Sequence, residues 1–260
     1  MAIDIEVARK VLSTIDAGLV NGMGKPVPGQ MCVEAAVCYA LGLPHGDDPG
    51  CVAPALRRLK IRLNDSTWSS NEARAAGLRR LGLAQLGSAG ALDEREFSRR
   101  VVLLAWRTQI PKALLATAAL FKDGSITKEK LLNAADICQR EEPSYEARTK
   151  LRGIASDIRS AAADAVAAAA AAADAAAAAD AAAAADAVAA AAAAADAAAD
   201  AAAAAVADKK KFWEAYWRHR DLGSKRRDAA LAEFCEGVVQ ILIEMKAPGC
   251  EWLSLTEAQS

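Results

Sequence analysis

The stretch "GQMCVEAAVCYALGLPHGDDPGC", residues 29–51, holds three cysteines and one of the chain's two histidines. These residue types suit thiol chemistry. Cys32 stands near a predicted helix N-terminus, where the macrodipole lowers the pKa of a thiol. Gln30 lies two residues ahead and can donate to an oxyanion. His45 follows the same helix and can act as the base, with Asp47 or Asp48 to orient it. The predicted helix of about 11 residues would be ~16 Å long, so the following loop must fold back to bring His45 to Cys32. A metal reading of Cys32, Cys38, His45 and Cys51 is weaker. The pairs lack the short spacing of two to four intervening residues that structural zinc favours between cysteines, and Cys32 and Cys38 face different sides of a helix. No metal ion and no cofactor is expected. The plainer alternative makes Cys32, Val33, Ala36, Val37 and Ala40 a helix core. His45 and Asp47 then satisfy backbone groups in a Gly/Pro turn. Glu34, an acid among small apolar residues, reads as a solvated or Arg-paired side chain.

A second candidate is electrostatic. Residues 57–112 contain 12 basic and 5 acidic side chains. Phosphate binding needs such a surface. Arg57, Arg58, Lys60, Arg62, Arg79 and Arg80 would supply the charge, and Trp68 in "NDSTWSSN" an exposed aromatic. The alternative is a solvated Arg-rich face that balances acidic charge elsewhere in the chain.

The words "PGQMCVEAAVCYALGLPHGDDPGC" through "KIRLNDSTWSSNEARAAGLRRLGLAQLGS", with "QILIEMKAPGCEWL" near the C-terminus, resemble a group of uncharacterised bacterial and phage-encoded proteins with an alanine-rich middle. The resemblance covers nearly the whole chain. It implies a prokaryotic or phage cytoplasmic setting and brings no activity, cofactor or fold.

The elements that must position these residues are helical. Apolar Val7, Val11, Leu12, Ile15 and Leu19 recur every three to four positions, behind a capping Asp4. Gly22 and Gly24 end this first helix. A second runs from about Met31 to Leu41. Pro54 opens a third. Ser69 with Glu72, and Asp93 with Glu96, form capping boxes for the next two. Pro111 breaks or kinks the fifth, and Thr127 caps a seventh. No segment alternates with period two for long enough to predict a strand.

From Ala161 to Ala207, 38 of 47 residues are alanine, with six aspartates and three valines. Alanine has the highest helix propensity, and the tract has no Gly or Pro to interrupt it. It predicts a helix at least ~70 Å long at ~1.5 Å per residue. On that helix Val166, Val188 and Val206 share a stripe opposite most of the aspartates, which Trp213 and Trp217 extend. Replication slippage that left a tolerated spacer is the competing explanation. Gly223 ends the long helix and Ser224 caps the next. There Leu231, Phe234, Cys235, Val238, Leu242 and Met245 form an apolar stripe suited to pack against it.

The expectation is an all-α protein. A compact N-terminal helical bundle (1–142) precedes a long alanine-rich helix (143–222), packed as a hairpin against a C-terminal helix (223–260). Net charge is −1, so no global field draws the chain to nucleic acid or membrane. Asp4, Glu6 and Arg9 stand where a signal core would be apolar. The aspartates of the alanine tract exclude a membrane span. The functional expectation is a non-enzymatic cytoplasmic protein that binds a protein partner or itself through the long helix. Nucleic-acid binding through 57–112 is the alternative, and a cysteine hydrolase centred on Cys32 and His45 comes second.

Overall fold

The computed structural model describes residues 3–119, 121–158 and 209–257, with side chains in the last stretch from residue 224 onward. The described residues are all-α. The helices are α1 (Ile5–Asp16), α2 (Val33–Ala40), α3 (Pro54–Asp65), α4 (Asn71–Ala84), α5 (Glu94–Leu104), α6 (Ile110–Ala118), α7 (Ile126–Arg140), α8 (Tyr145–Asp157) and α9 (Lys209–Glu244). A π-helical turn (Ala105–Gln109) joins α5 to α6, and a 3-10 segment (Pro248–Thr256) follows α9. Among the described residues an isolated bridge, Gly24 to Met31, is the one trace of β pairing. No described helix is long and apolar enough to cross a membrane.

Local chemistry explains most boundaries, and in several places the chosen residue differs from the expected one. Asp4 caps α1 by accepting from Val7 N at 2.9 Å, as expected. The helix stops at Asp16, well before Gly22, because Gly18 turns the chain at φ +113°, a conformation glycine adopts freely. Ser70, not Ser69, caps α4 through Ala73 N. Ser125, not Thr127, caps α7 through Lys128 N. Asp93 accepts from Glu96 N. Glu96 does not close a capping box. It accepts instead from Arg99 and Arg100, which hold its carboxyl down at about 2. Pro111 does disturb its helix, as expected: the α-helical run is interrupted ahead of it. Its ring would clash with the carbonyl four residues back, and the wider π turn at Ala105–Gln109 lies where that conflict falls.

The chain divides into two compact units, Met1–Val101 with Leu231–Ser260, and Val102–Ala230. The helices expected to form one bundle through residue 142 are thus shared between the two. α9 passes through Gly223 without a break, so Ser224 caps nothing. Val166, Val188 and Val206 lie outside the described residues, as do the side chains of Trp213 and Trp217. The hairpin expected between helices 143–222 and 223–260 needed a turn at Gly223, and α9 has none there; α8 also ends at Asp157, inside the expected first arm.

In the first unit α1 packs on α2 and α4, and α2 on α3. Val11, Ile15, Leu19, Val33, Val37, Leu56, Leu59, Leu63, Leu78 and Leu81 are buried. Of the predicted stripe, Leu231, Phe234, Cys235, Val238 and Leu242 are buried as well, and Met245 is half-buried. The C-terminal segment is tied down by polar contacts. Arg79 pairs with Asp16 and donates to the Thr256 carbonyl. Arg80 pairs with Glu236, and Arg100 with Glu244. Gly249 lies so close to the end of α4 that a Cβ there would sit 2.4 Å from the Leu83 carbonyl oxygen. In the second unit Trp106, Ile110, Leu114, Leu131, Ala135, Cys138 and Leu151 form the core. Trp106 donates its indole N–H to the Glu141 carbonyl at 2.8 Å.

Trp68 is seated by a glycine. Its ring lies against Gly77 of α4, where an added Cβ would come within 2.2 Å of ring carbon Cη2. Gly77→Ala is therefore expected to destabilise the protein by about 1–3 kcal/mol through overpacking. Gly153→Ala in α8 meets nothing within 4 Å and should stabilise by roughly 0.5–1 kcal/mol through helix propensity. Urea denaturation of the two variants checks both signs.

Candidate functional site

The densest group of chemically capable side chains lies where the start of α2 meets α3. Apolar spacing places Leu56, Leu59 and Leu63 on the inner face of α3, and Lys60 falls on that same face. Glu34 occupies the first turn of α2, whose remaining residues are small and apolar apart from the exposed Tyr39. Folding α2 onto α3 brings the two charges together. Lys60 Nζ stands 2.9 Å from Glu34 Oε1, and both side chains are completely buried. Beyond this contact, neither Glu34 oxygen nor Lys60 Nζ has a hydrogen-bond partner among the described residues. Burial pushes the Glu34 carboxyl up despite the opposing charge of Lys60. Burial likewise pulls the Lys60 ammonium down despite Glu34. Desolvation outweighs attraction on both sides of the pair.

Asn64, one turn beyond Lys60, is also buried. Its Oδ1 accepts from Val33 N at 3.2 Å, and its Nδ2 donates to the Val20 carbonyl at 2.8 Å. Arg74 of α4 donates to the Asn64 and Leu19 carbonyls. These bonds fix the start of α2 against α3 and the loop after α1. A pocket of about 50 Å³ opens here, lined by Gly22, Met23, Cys32, Val33, Glu34, Asp47, Ile61, Asn64 and Asp65.

Cys32 does stand at the helix N-terminus, but as the cap. Its Sγ accepts from Ala35 N at 3.3 Å. The expected lowering of the thiol pKa is reversed. Burial raises it by more than the Ala35 and Glu34 amides and Lys60 lower it, and the Glu34 carboxylate raises it further. The other two thiols of the opening stretch follow the same rule: burial lifts Cys38 to about 11 and raises Cys51. His45 does not line the pocket. Its Nε2 contacts the Gly24 carbonyl at 3.1 Å, so it satisfies the backbone of a neighbouring loop. Gln30 is exposed, and its main chain closes the turn with Lys25 and Val27. Cys32, His45 and Gln30 thus have separate structural employments. Among the described residues no group of three or more His, Cys, Asp or Glu is placed to hold a metal ion.

The basic segment is mostly neutralised in place. Lys60 is buried, and so is Trp68, whose indole donates to the Leu63 carbonyl at 2.9 Å. Neither can offer a surface to nucleic acid. Lys60 lies on the apolar face of its helix, and the Trp68 ring is drawn into the gap over Gly77. Arg57 pairs with Asp48, Arg79 with Asp16, and Arg80 with Glu236. Arg58 and Arg62 lie exposed on α3. Glu34 is neither solvated nor Arg-paired. A signal for its partner was present in the sequence: a lysine in phase with leucines four and three residues away.

The chain matches no family model, and no curated protein or solved structure matches it.

Two outcomes follow from this site. Removing one member of the pair, by Lys60→Met or Glu34→Leu alone, leaves an uncompensated buried charge and should cost about 3–5 kcal/mol. The double variant should recover most of that loss in a denaturant-unfolding cycle, since apolar groups of similar volume often replace a buried pair without cost. In the native protein iodoacetamide should label Cys32 more slowly than free cysteine at neutral pH, as read by peptide mass spectrometry. Faster labelling would restore the nucleophile.

Proposed function

We propose that this protein is a non-enzymatic helical interaction protein that associates with itself or with a protein partner through its alanine-rich segment. The observation that carries this reading is the employment of the reactive groups. The most nucleophile-like side chain, Cys32, caps α2 and is held protonated by burial. The histidine proposed to activate it contacts a backbone carbonyl elsewhere. The arginines that would grip phosphate are largely engaged by carboxylates of the same chain. What the first unit offers is a scaffold, and the alanine tract, by its sequence, supplies small side chains.

Size-exclusion chromatography with light scattering tests the reading. The wild type should run above monomer mass, or capture a partner stoichiometrically in a pull-down. Changing Val166, Val188 and Val206 together to Asp should abolish that association, because a charge in a dry seam costs several kcal/mol. Adding charge on the aspartate side, as in Ala193→Asp, should leave it intact. Equal loss in both would mean that the tract has no preferred face. A gel-shift that weakens steeply with rising salt would favour the nucleic-acid alternative instead.

A further inference from the structure

We infer that Lys60 and Asn64 become joined by a side-chain amide bond, formed with loss of ammonia and with Glu34 carrying the protons. The two residues stand four apart on α3, and both are fully buried. Residues so spaced are neighbours on a helix, with Cβ atoms about 5–6 Å apart. Helical side chains lean toward the N-terminus, which brings the Asn64 amide over the turn that carries Lys60. The four-carbon stem of lysine is long enough to span that gap. Lys60 and Asn64 also engage two consecutive residues of α2. Lys60 Nζ stands 2.9 Å from Glu34 Oε1, and Asn64 Oδ1 accepts from Val33 N at 3.2 Å. An amine, a carboxyl group beside it and a carbonyl polarised by an amide N–H thus share one dry corner of the first unit.

The hydrogen-bond count gives the amine a reason to react. An ammonium carries three donors, and among the described residues Lys60 Nζ has only Glu34 to meet them. A buried charge with unmet donors is costly. Burial pulls the ammonium down and pushes the carboxyl up, which favours passing a proton along the contact between them. The neutral amine then attacks Cγ of Asn64, and the charge gathering on Oδ1 is met by Val33 N–H. Glu34 gives its proton to Nδ2 as the Cγ–Nδ2 bond breaks, takes one from the former amine nitrogen, and ammonia leaves. The pocket lined by Glu34, Asn64 and the exposed Met23 offers it a way out. Asn64 gives up the Nδ2 bonds to the Val20 carbonyl and to Asp65. In exchange the product has one buried N–H where there were three, beside Glu34, and no buried charge. The ion pair is what folding assembles, and the amide is what it matures into.

Mass spectrometry of the full-length protein, held folded at neutral pH, tests this. The intact chain should be lighter than its sequence by one ammonia. Trypsin can cut an unlinked chain after Arg58, Lys60, Arg62 and Arg74. In the linked chain the cut after Lys60 is lost, and residues 59–74 travel as one species. Lys60→Met should keep its full mass. Glu34→Gln preserves the volume but cannot carry the proton, so its linking should be slower by at least about a hundredfold. The inference is overturned if the folded wild type keeps its full mass, or if Glu34→Gln links as fast as the wild type. It is also overturned if the lost ammonia maps elsewhere, for example to a succinimide at Asn21–Gly22. Should Glu34→Gln fail to fold, the wild-type mass and peptide map decide alone.

Discussion

The contact on which the first unit turns is the ion pair between Glu34 and Lys60, closed off from solvent. Taking two charges out of water costs several kcal/mol per ion, and their attraction repays that only in good geometry. The pair therefore adds little net stability. What it restricts is arrangement. α2 has eight residues, too few to persist alone in water. It is amphipathic in neither sense, being apolar nearly all round. A short apolar helix could slide or rotate against leucine-rich α3 at small cost. With Glu34 in place, a slide by one turn or a rotation by one residue would strand a buried carboxylate and a buried ammonium. One register of α2 on α3 thus becomes far better than its neighbours.

The polar network around the pair extends this logic outward. Asn64 ties the first amide of α2 to the loop after α1, and Arg74 carries the tie to α4. Arg79 and Arg80, one turn and more along α4, reach the C-terminal segment at Thr256. A chain of charged and amide side chains on α3 and α4 therefore runs from the innermost contact to the 3-10 segment at Thr256. Arginine suits the outer links because its planar fork can bond two acceptors at once. Arg79 does so with Asp16.

Helical class and most helix positions were legible because they depend on local chemistry: spacing of apolar residues, Asp4 as a cap, Pro54 at a first turn. Caps slipped by one or two residues where several hydroxyls compete, as at Ser69 and Ser70 or Ser125 and Thr127. Gly223 was misread as a stop because a single glycine costs a helix only about 1 kcal/mol, which neighbouring turns can absorb. The site was less legible. A thiol at a helix start looks activated when only the dipole is considered, yet burial decides its proton, and burial is a property of the whole unit. The same holds for charge. Counting 57–112 gave an excess of basic residues, but their partners Asp16, Glu236 and Glu244 lie outside that window. Trp68 looked exposed among polar neighbours because the cleft that receives it is made by a glycine nine residues on.

The first unit is discontinuous, combining Met1–Val101 with Leu231–Ser260, and this orders events during synthesis. After Val101 leaves the ribosome, roughly 130 residues must be added before Leu231 follows. At about 5–20 residues per second that interval lasts on the order of 10 s. Throughout it, the ends of α4 and α5 stand without the segment that Arg79, Arg80 and Arg100 will hold. Their leucine-rich surfaces are open to solvent or to a chaperone. The nascent chain must hold this half-built core soluble while an alanine-rich stretch, itself able to turn helical as it emerges, passes through the exit tunnel. Synonymous codon choice across residues 161–207, which alters pacing and leaves the protein unchanged, thereby becomes a determinant of yield.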